Sequence, residues 1–273
     1  MGDQSNQSAI HKQWFLANEK LWDKRTNIHI GSDFYDVNGF RTGENSLRFI
    51  ELEELGEVRG KSILHLQCHF GLDSLSLSRM GAKVTAVDFS ETAIQQARAL
   101  NKELGLTAEF LCQNIYELPG KLDRRFDIVF TSYGVLCWLP DLRRWAEIVK
   151  HFLEEGGTFY MVEFHPVVWM FGDQLQQIEY SYFNTGAIHE EAEGSYVDGA
   201  ENFSQEAYYW GHSMADVVTA LIEVGLSIRF LHEFPFSPYN CFGNMEKIGE
   251  QRWVGKHLQQ KIPYLFSIQA IDL

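Results

Sequence analysis

SILHLQCHFGLDSL, Ser62 to Leu75, begins as an apolar run and ends at helical spacing, with polar residues crowded between. It reads as a buried strand, the turn QCHFG and the start of a helix. Two chemistries compete for it. HLQCH offers metal-ligating side chains, whereas HFG keeps one glycine of the kind of turn that holds a nucleotide-like cofactor. His65, Cys68 and His69 match no zinc spacing, and no second Cys/His pair lies nearby in sequence, so no metal is expected. His65 and Cys68 are expected to face the core, and His69, inside the turn, to reach ligand or substrate.

Outward from this stretch, short apolar runs alternate with helical ones. Ser62–Gln67, Lys83–Asp88, Ala108–Cys112, Asp127–Ser132 and Thr158–Glu163 read as strands. Ile94, Ala97, Leu100 and Leu104 mark one intervening helix, and Leu142, Trp145, Val149 and Phe152 another. The alternation predicts parallel βαβ units and a doubly wound α/β sheet. In such a sheet ligands lie beyond the carboxyl ends of the strands. Gly71 is expected to let the backbone approach a ligand there, and Asp88, at the end of the next strand, to accept hydrogen bonds from a ribose diol.

Before Lys61 the chain reads as a helical lead-in: a helix over Ala9–Trp22, an irregular connection NIHIGSDFYDVNGFRTG, and a second helix over Glu44–Leu55. Beyond Pro166, to about Gly211, it is aromatic and acidic with weak periodicity. A helix capped by Ser213 follows, then two strands, LSIRFLHEF and IPYLFSIQAIDL, expected to pair antiparallel.

The chain has 273 residues, 45% of them apolar and 14% aromatic, enough for one large domain with an insertion. No run approaches the ~18 apolar residues of a membrane span. The polar start MGDQSNQSAIHKQ has no signal-peptide core and fits the myristoylation pattern poorly. Four scattered cysteines suggest reduced thiols, and a cytoplasmic location is expected. The net charge of -14 argues against a nucleic-acid partner. Between His151 and Ile228 there is no Lys or Arg but there are thirteen Asp and Glu, which favours an amine or other cationic substrate if some face inward.

Taken together, VTAVDFS, CQNIYEL, FDIVFTSYGVLCWLPDL and FLEEGGTFYMVE resemble the class I S-adenosylmethionine-dependent methyltransferases. The resemblance covers about Lys61–Glu163 and Met214–Leu273. HLQCHFGLDSLSLSRMGAKVTAVDFS is similar to a bacterial subgroup of that family. It implies a Rossmann-like, doubly wound, seven-stranded sheet with an antiparallel last strand. Residues 1–60 would then be a lead-in or lid, 61–273 the methyltransferase domain, and 166–211 a substrate cover. S-adenosylmethionine would be the cofactor and S-adenosylhomocysteine the product.

Residue by residue, the resemblance assigns Gln67, Cys68, His69 and Gly71 to the methionine moiety and Asp88 to the ribose. Phe89 would lie beside the adenine, Asn114 and Ile115 at its edge, and Ser132 and Tyr133 near the sulfonium. The chain departs from the family where His65 replaces an acid, Gln67 and His69 replace two glycines, and Asn114 replaces an Asp. Without those glycines the turn is expected to avoid left-handed backbone.

Methyl transfer needs alignment of the acceptor more than a fixed catalytic dyad. Candidates on the acceptor side are His69, Tyr133, Glu163 and His165, with Trp138 nearby. The expected activity is methylation of a small molecule by a monomer or homodimer. The alternatives are a non-catalytic S-adenosylmethionine-binding protein and a nicotinamide-dependent oxidoreductase.

Overall fold

A computed structural model describes residues 2–197, 200 and 203–273, with side chains from His11 onward. Three helices lead in: α1 (Gly2–His29), α2 (Val37–Thr42) and α3 (Phe49–Leu55). The alternating region follows as β1 (Ser62–Leu66), α4 (Leu72–Arg79), β2 (Lys83–Asp88), α5 (Glu91–Glu103), β3 (Glu109–Cys112), β4 (Phe126–Thr131), α6 (Leu142–Phe152) and β5 (Leu153–Phe164). Next come a hairpin of β6 (Ile188–Glu193) and β7 (Ser204–Tyr209), then α7 (Met214–Glu223) and β8 (Leu226–Phe234). A second hairpin, β9 (Met245–Gly249) with β10 (Arg252–Gly255), precedes β11 (Leu265–Asp272).

The main sheet has the order β3-β2-β1-β4-β5-β11-β8. The first five strands are parallel, and β11 runs antiparallel to both neighbours. This is the expected doubly wound sheet. Strand order reverses between β1 and β4, so the crevice for a ligand opens above the ends of β1 and β4. Both faces are covered, which is why β1 reads as nearly continuous apolar sequence. Ile63 and Phe130 face one core with α4, α5 and the lead-in, while Leu64, Leu66 and Val129 face the other with Trp145 of α6.

The lead-in differs from expectation in physically readable ways. α1 continues past Trp22 to His29, and in its last turns Thr26 Oγ1 and Asn27 Nδ2 donate back to the carbonyls of Trp22 and Asp23. α3 starts at Phe49 rather than Glu44. Asn45 Oδ1 accepts from Leu47 N, and Ser46 bonds Asp73 and Ser76, which draws that segment out of helical geometry. Inside the expected irregular connection Asp36 caps α2 by accepting from Gly39 N.

Two hairpins also escaped the sequence reading. In IHEEAE the alternation is real but carries polar residues on both faces, so it resembles a solvated loop. β6–β7 gains its support from α1. Asn18 reads both backbone groups of Tyr208, donating to its carbonyl at 2.7 Å and accepting from its amide at 2.9 Å. Trp14 packs edge-on against Trp210 at 5.2 Å. Among the described residues no helix is long and apolar enough to cross a membrane.

Asn18 is buried, so Asn18→Ala leaves both Tyr208 groups unpaired, at a cost of about 1–3 kcal/mol. Hydrogen exchange should show the loss first at the Tyr208 amide and along β7, with β1 and β4 unchanged. Uniform acceleration across the sheet would mean that α1 and the hairpin are not a separate layer.

Candidate functional site

The QCHFG turn keeps a glycine-like shape without the glycines. Gln67, His69 and Gly71 all have positive φ, at 56°, 51° and 81°. The expectation that the turn would avoid left-handed backbone is therefore wrong. Each non-glycine residue there costs roughly 1–2 kcal/mol, which the surroundings must offset. Gln67 Nε2 donates to the Val135 carbonyl at 3.1 Å, and His69 N donates to Asp88 Oδ2 at 2.8 Å.

Gly71 also serves a different purpose from the one expected. A Cβ at Gly71 would stand 2.5 Å from the Phe110 ring, so the glycine also admits α4 against β3.

Asp88 holds two turns at once. Its second oxygen accepts from Ser90 N at 2.9 Å, and Ser90 in turn caps α5 by accepting from Ala93 N. Burial raises its pKa to about 6, against the pull of the Ser90, His69 and Phe89 amides. Asp88 also lines the cavity.

That cavity, about 1630 Å³, lies between the sheet, α1 and the β6–β7 hairpin. Gln67, Cys68, His69, Gly71, Asp88, Phe89, Ser132 and Tyr133 all line it. Of the aromatics beyond Pro166, Trp169, Phe171, Tyr180, Tyr182, Tyr209 and Trp210 line it too, whereas Phe183 is exposed and Tyr208 faces α1. Asn114 and Ile115 are not on its wall. Asn114 Oδ1 caps the following 3₁₀ turn through Tyr116 N, and Ile115 is buried in the core beside it.

Glu163 and His165 are committed elsewhere. The Glu163 carboxylate is fully enclosed and accepts from the amides of Gly134, Val135, Leu136 and Phe164. Burial raises its pKa to about 7 despite those donors. It shapes the turn after β4 and has no oxygen left for a substrate. His165 Nδ1 accepts from Val167 N, and its Nε2 lies 2.8 Å from Glu233. The ring of Tyr133 faces the cavity, but its hydroxyl donates to Glu51 at 2.7 Å, a carboxyl whose pKa burial and Asp73 raise to about 8.

HLQCH is not a cluster. His65 is a core residue whose Nδ1 meets Ser74 Oγ at 2.8 Å. His69 points toward the lead-in, with Nε2 3.0 Å from His29 Nδ1. His29 Nε2 continues to Ser195 Oγ at 2.7 Å, so cofactor turn, α1 and hairpin loop join through two imidazoles. Burial lowers both pKa values, with further repulsion from His29 and Arg25 at His69, and His29 falls to about 3. Both rings are neutral at physiological pH.

The lead-in contributes the residues that sequence reasoning missed: Arg25, His29 and Arg48. The signal was present in part, since Trp22, Arg25 and His29 repeat at helical spacing on one face.

Residues 63–157 match the family model described as a methyltransferase domain. The matched stretch runs from β1 into β5 and takes in the turn after β1 and Asp88. The chain is 33% identical over 116 residues to the ubiquinone biosynthesis O-methyltransferase of Coxiella burnetii, spanning 42% of this chain. That match covers 49% of the relative, so the chain spans about half the length of the curated relatives it matches. An S-adenosylmethionine-dependent methyltransferase from Methanosarcina mazei shares the fold at TM-score 0.57 and 20% identity, over 83% of this chain and 98% of that one. One from Clostridium acetobutylicum does so at TM-score 0.54 and 17% identity, over 89% and 94%.

If Glu163 shapes the turn after β4, Glu163→Gln sets an amide group against backbone donors and should cost about 1.5–3 kcal/mol. Thermal unfolding should show the drop, and Glu163→Asp should show less of it. A Gln variant as stable as the parent would remove the structural role.

Proposed function

We propose that this chain transfers a methyl group from S-adenosylmethionine to a small-molecule acceptor held in the same cavity. Asp88 carries the reading. Its carboxylate stands at the end of β2, on the cavity wall beside the left-handed turn, where it can accept from a ribose hydroxyl.

The remaining wall suits the rest of that molecule. Gln67 Oε1 and His69 Nδ1 are buried without partners next to the turn. Asp73, held by Ser46 and Ser132, and Arg48 offer one charge of each sign for an α-amino acid moiety. When bound, the cofactor supplies an activated methyl group for in-line displacement. The chain's own task is to bind, to align the acceptor and to exclude water. Trp22 of α1 lies over the turn, 5.2 Å from His69 and 5.4 Å from Trp138, and supplies that exclusion. Residues 1–60 thus act as a lid and 166–211 as a cover.

Among the described residues the acidic segment places one half-buried carboxylate on the wall, Glu190, which accepts from Tyr180, while its Asp173, Glu179, Glu191 and Glu193 are exposed at the rim with Asp33, Asp36 and Glu44 of the lead-in. S-adenosylmethionine itself carries one net positive charge, so the rim favours capture of the cofactor without any cationic acceptor.

Titration calorimetry with S-adenosylhomocysteine, and NADH as control, tests the reading. Micromolar binding of the first alone is expected, with Asp88→Asn weakening it by about 1.5–3 kcal/mol. Ribose hydroxyls favour the ionised carboxylate, so affinity should be full above about pH 6 and fall as pH drops through that value. Equal binding by the Asn variant would sink the assignment of Asp88.

A further inference from the structure

Among the described residues, Arg25 stands on the cavity wall with no carboxylate in direct contact. Its guanidinium lies 5.4 Å from the Trp22 ring and 5.8 Å from the Trp138 ring, which fix its orientation. Its Nε is buried without a hydrogen-bond partner. Among the described residues no carboxylate lies within 4.0 Å of it. The groups that act on it are the Tyr196 and Tyr35 hydroxyls, which bond each other, the Cys137 thiol and, least of these, the exposed Asp173 carboxylate on the same cavity wall. Burial pushes its pKa down from the ordinary arginine value.

A guanidinium cannot shed its proton at neutral pH, and a buried charge without a counter-charge is strongly unfavourable. The deep carboxylates of the cavity do not answer it. Asp88 is bonded to His69 and Ser90 amides, and Asp73 to Ser46 and Ser132. Other acids on the wall stand largely at its exposed rim. Among the described residues no carboxylate pairs with it, which leaves its donors open to a ligand in the cavity.

From these contacts we infer that Arg25 receives an anionic group, a carboxylate, on the methyl acceptor, whose planar body lies among Trp22, Trp138 and Tyr196. The inference rests on the methyltransferase reading and names the acceptor class for it. The acceptor is favoured over the cofactor by position. Cys137 and Trp138 follow β4, and Tyr196 belongs to the hairpin loop, whereas Arg48 already stands with Asp73 near the start of α4. Arg25 is thus a specificity residue, supplying both charge and a forked donor that fits a carboxylate.

The full chain saturated with S-adenosylhomocysteine should be titrated with matched probes: 4-hydroxybenzoate, 4-hydroxybenzamide and tyramine, then indole-3-acetate, indole-3-acetamide and tryptamine. At least one carboxylate should bind tenfold or more tighter than its amide and its amine. Arg25→Met should abolish that preference, and Arg25→Lys should retain part of it, both with S-adenosylhomocysteine affinity within twofold of the parent. Because no described carboxylate pairs with Arg25 in the unliganded protein, Arg25→Met should also raise the melting temperature. A structural arginine would lower it. Amide or amine binding equal to the carboxylate in both series overturns the inference. Loss of S-adenosylhomocysteine binding in Arg25→Met also overturns it, by assigning the arginine to the cofactor. Failure of the parent chain to bind S-adenosylhomocysteine at all would instead reject the methyltransferase reading.

Discussion

The bond from the His69 amide to the Asp88 carboxylate is the constraint on which the site depends. It ties the turn after β1 to the turn after β2, and through Ser90 it fixes the start of α5. Without it, two left-handed non-glycine residues would have little to hold them in place. The same carboxylate is then the group left to meet a ligand. Under the proposed function, structural and binding roles share this one side chain, and its raised pKa follows from its burial.

A second layer is built onto this frame from the two ends of the alternating region. α1 reaches the turn through His29 and Trp22, the hairpin loop reaches His29 through Ser195, and Asp23 of α1 accepts from Ser90 Oγ and Thr92 N at the head of α5. These contacts are polar or aromatic, not a continuation of the sheet's apolar cores. Contacts of this kind bury less apolar surface than the sheet's cores do, and ligand-exchanging sites are generally built from layers of lower local stability.

The sheet was legible because its strands are buried on both faces and punctuated by helices of clear period. Asp88 and the turn were legible because strand ends in such a sheet are where ligands go. Asn114 and Glu163 failed for a common reason. Each stands at the end of a strand, but neighbouring backbone amides claim its oxygen atoms, and sequence cannot show which donors are near. The lead-in was the least legible. Asn45 and Ser46 look compatible with a helix until their side chains find partners in α4 and the local backbone. Arg25 escaped notice because nothing in a helix sequence distinguishes a solvated arginine from an enclosed one.

The position of β11 bears on how the molecule comes into being. β8 has β11 as its sole neighbour in the main sheet, and β11 lies between it and β5. During synthesis β8 leaves the ribosome about thirty residues before the strand that joins it to the sheet. Until then Phe266, Ile268 and Ala270, fully buried in the finished core, have left a slot open beside β5. The nascent protein therefore holds an unpaired parallel edge for the whole interval, and that edge is the segment a chaperone would have to shield.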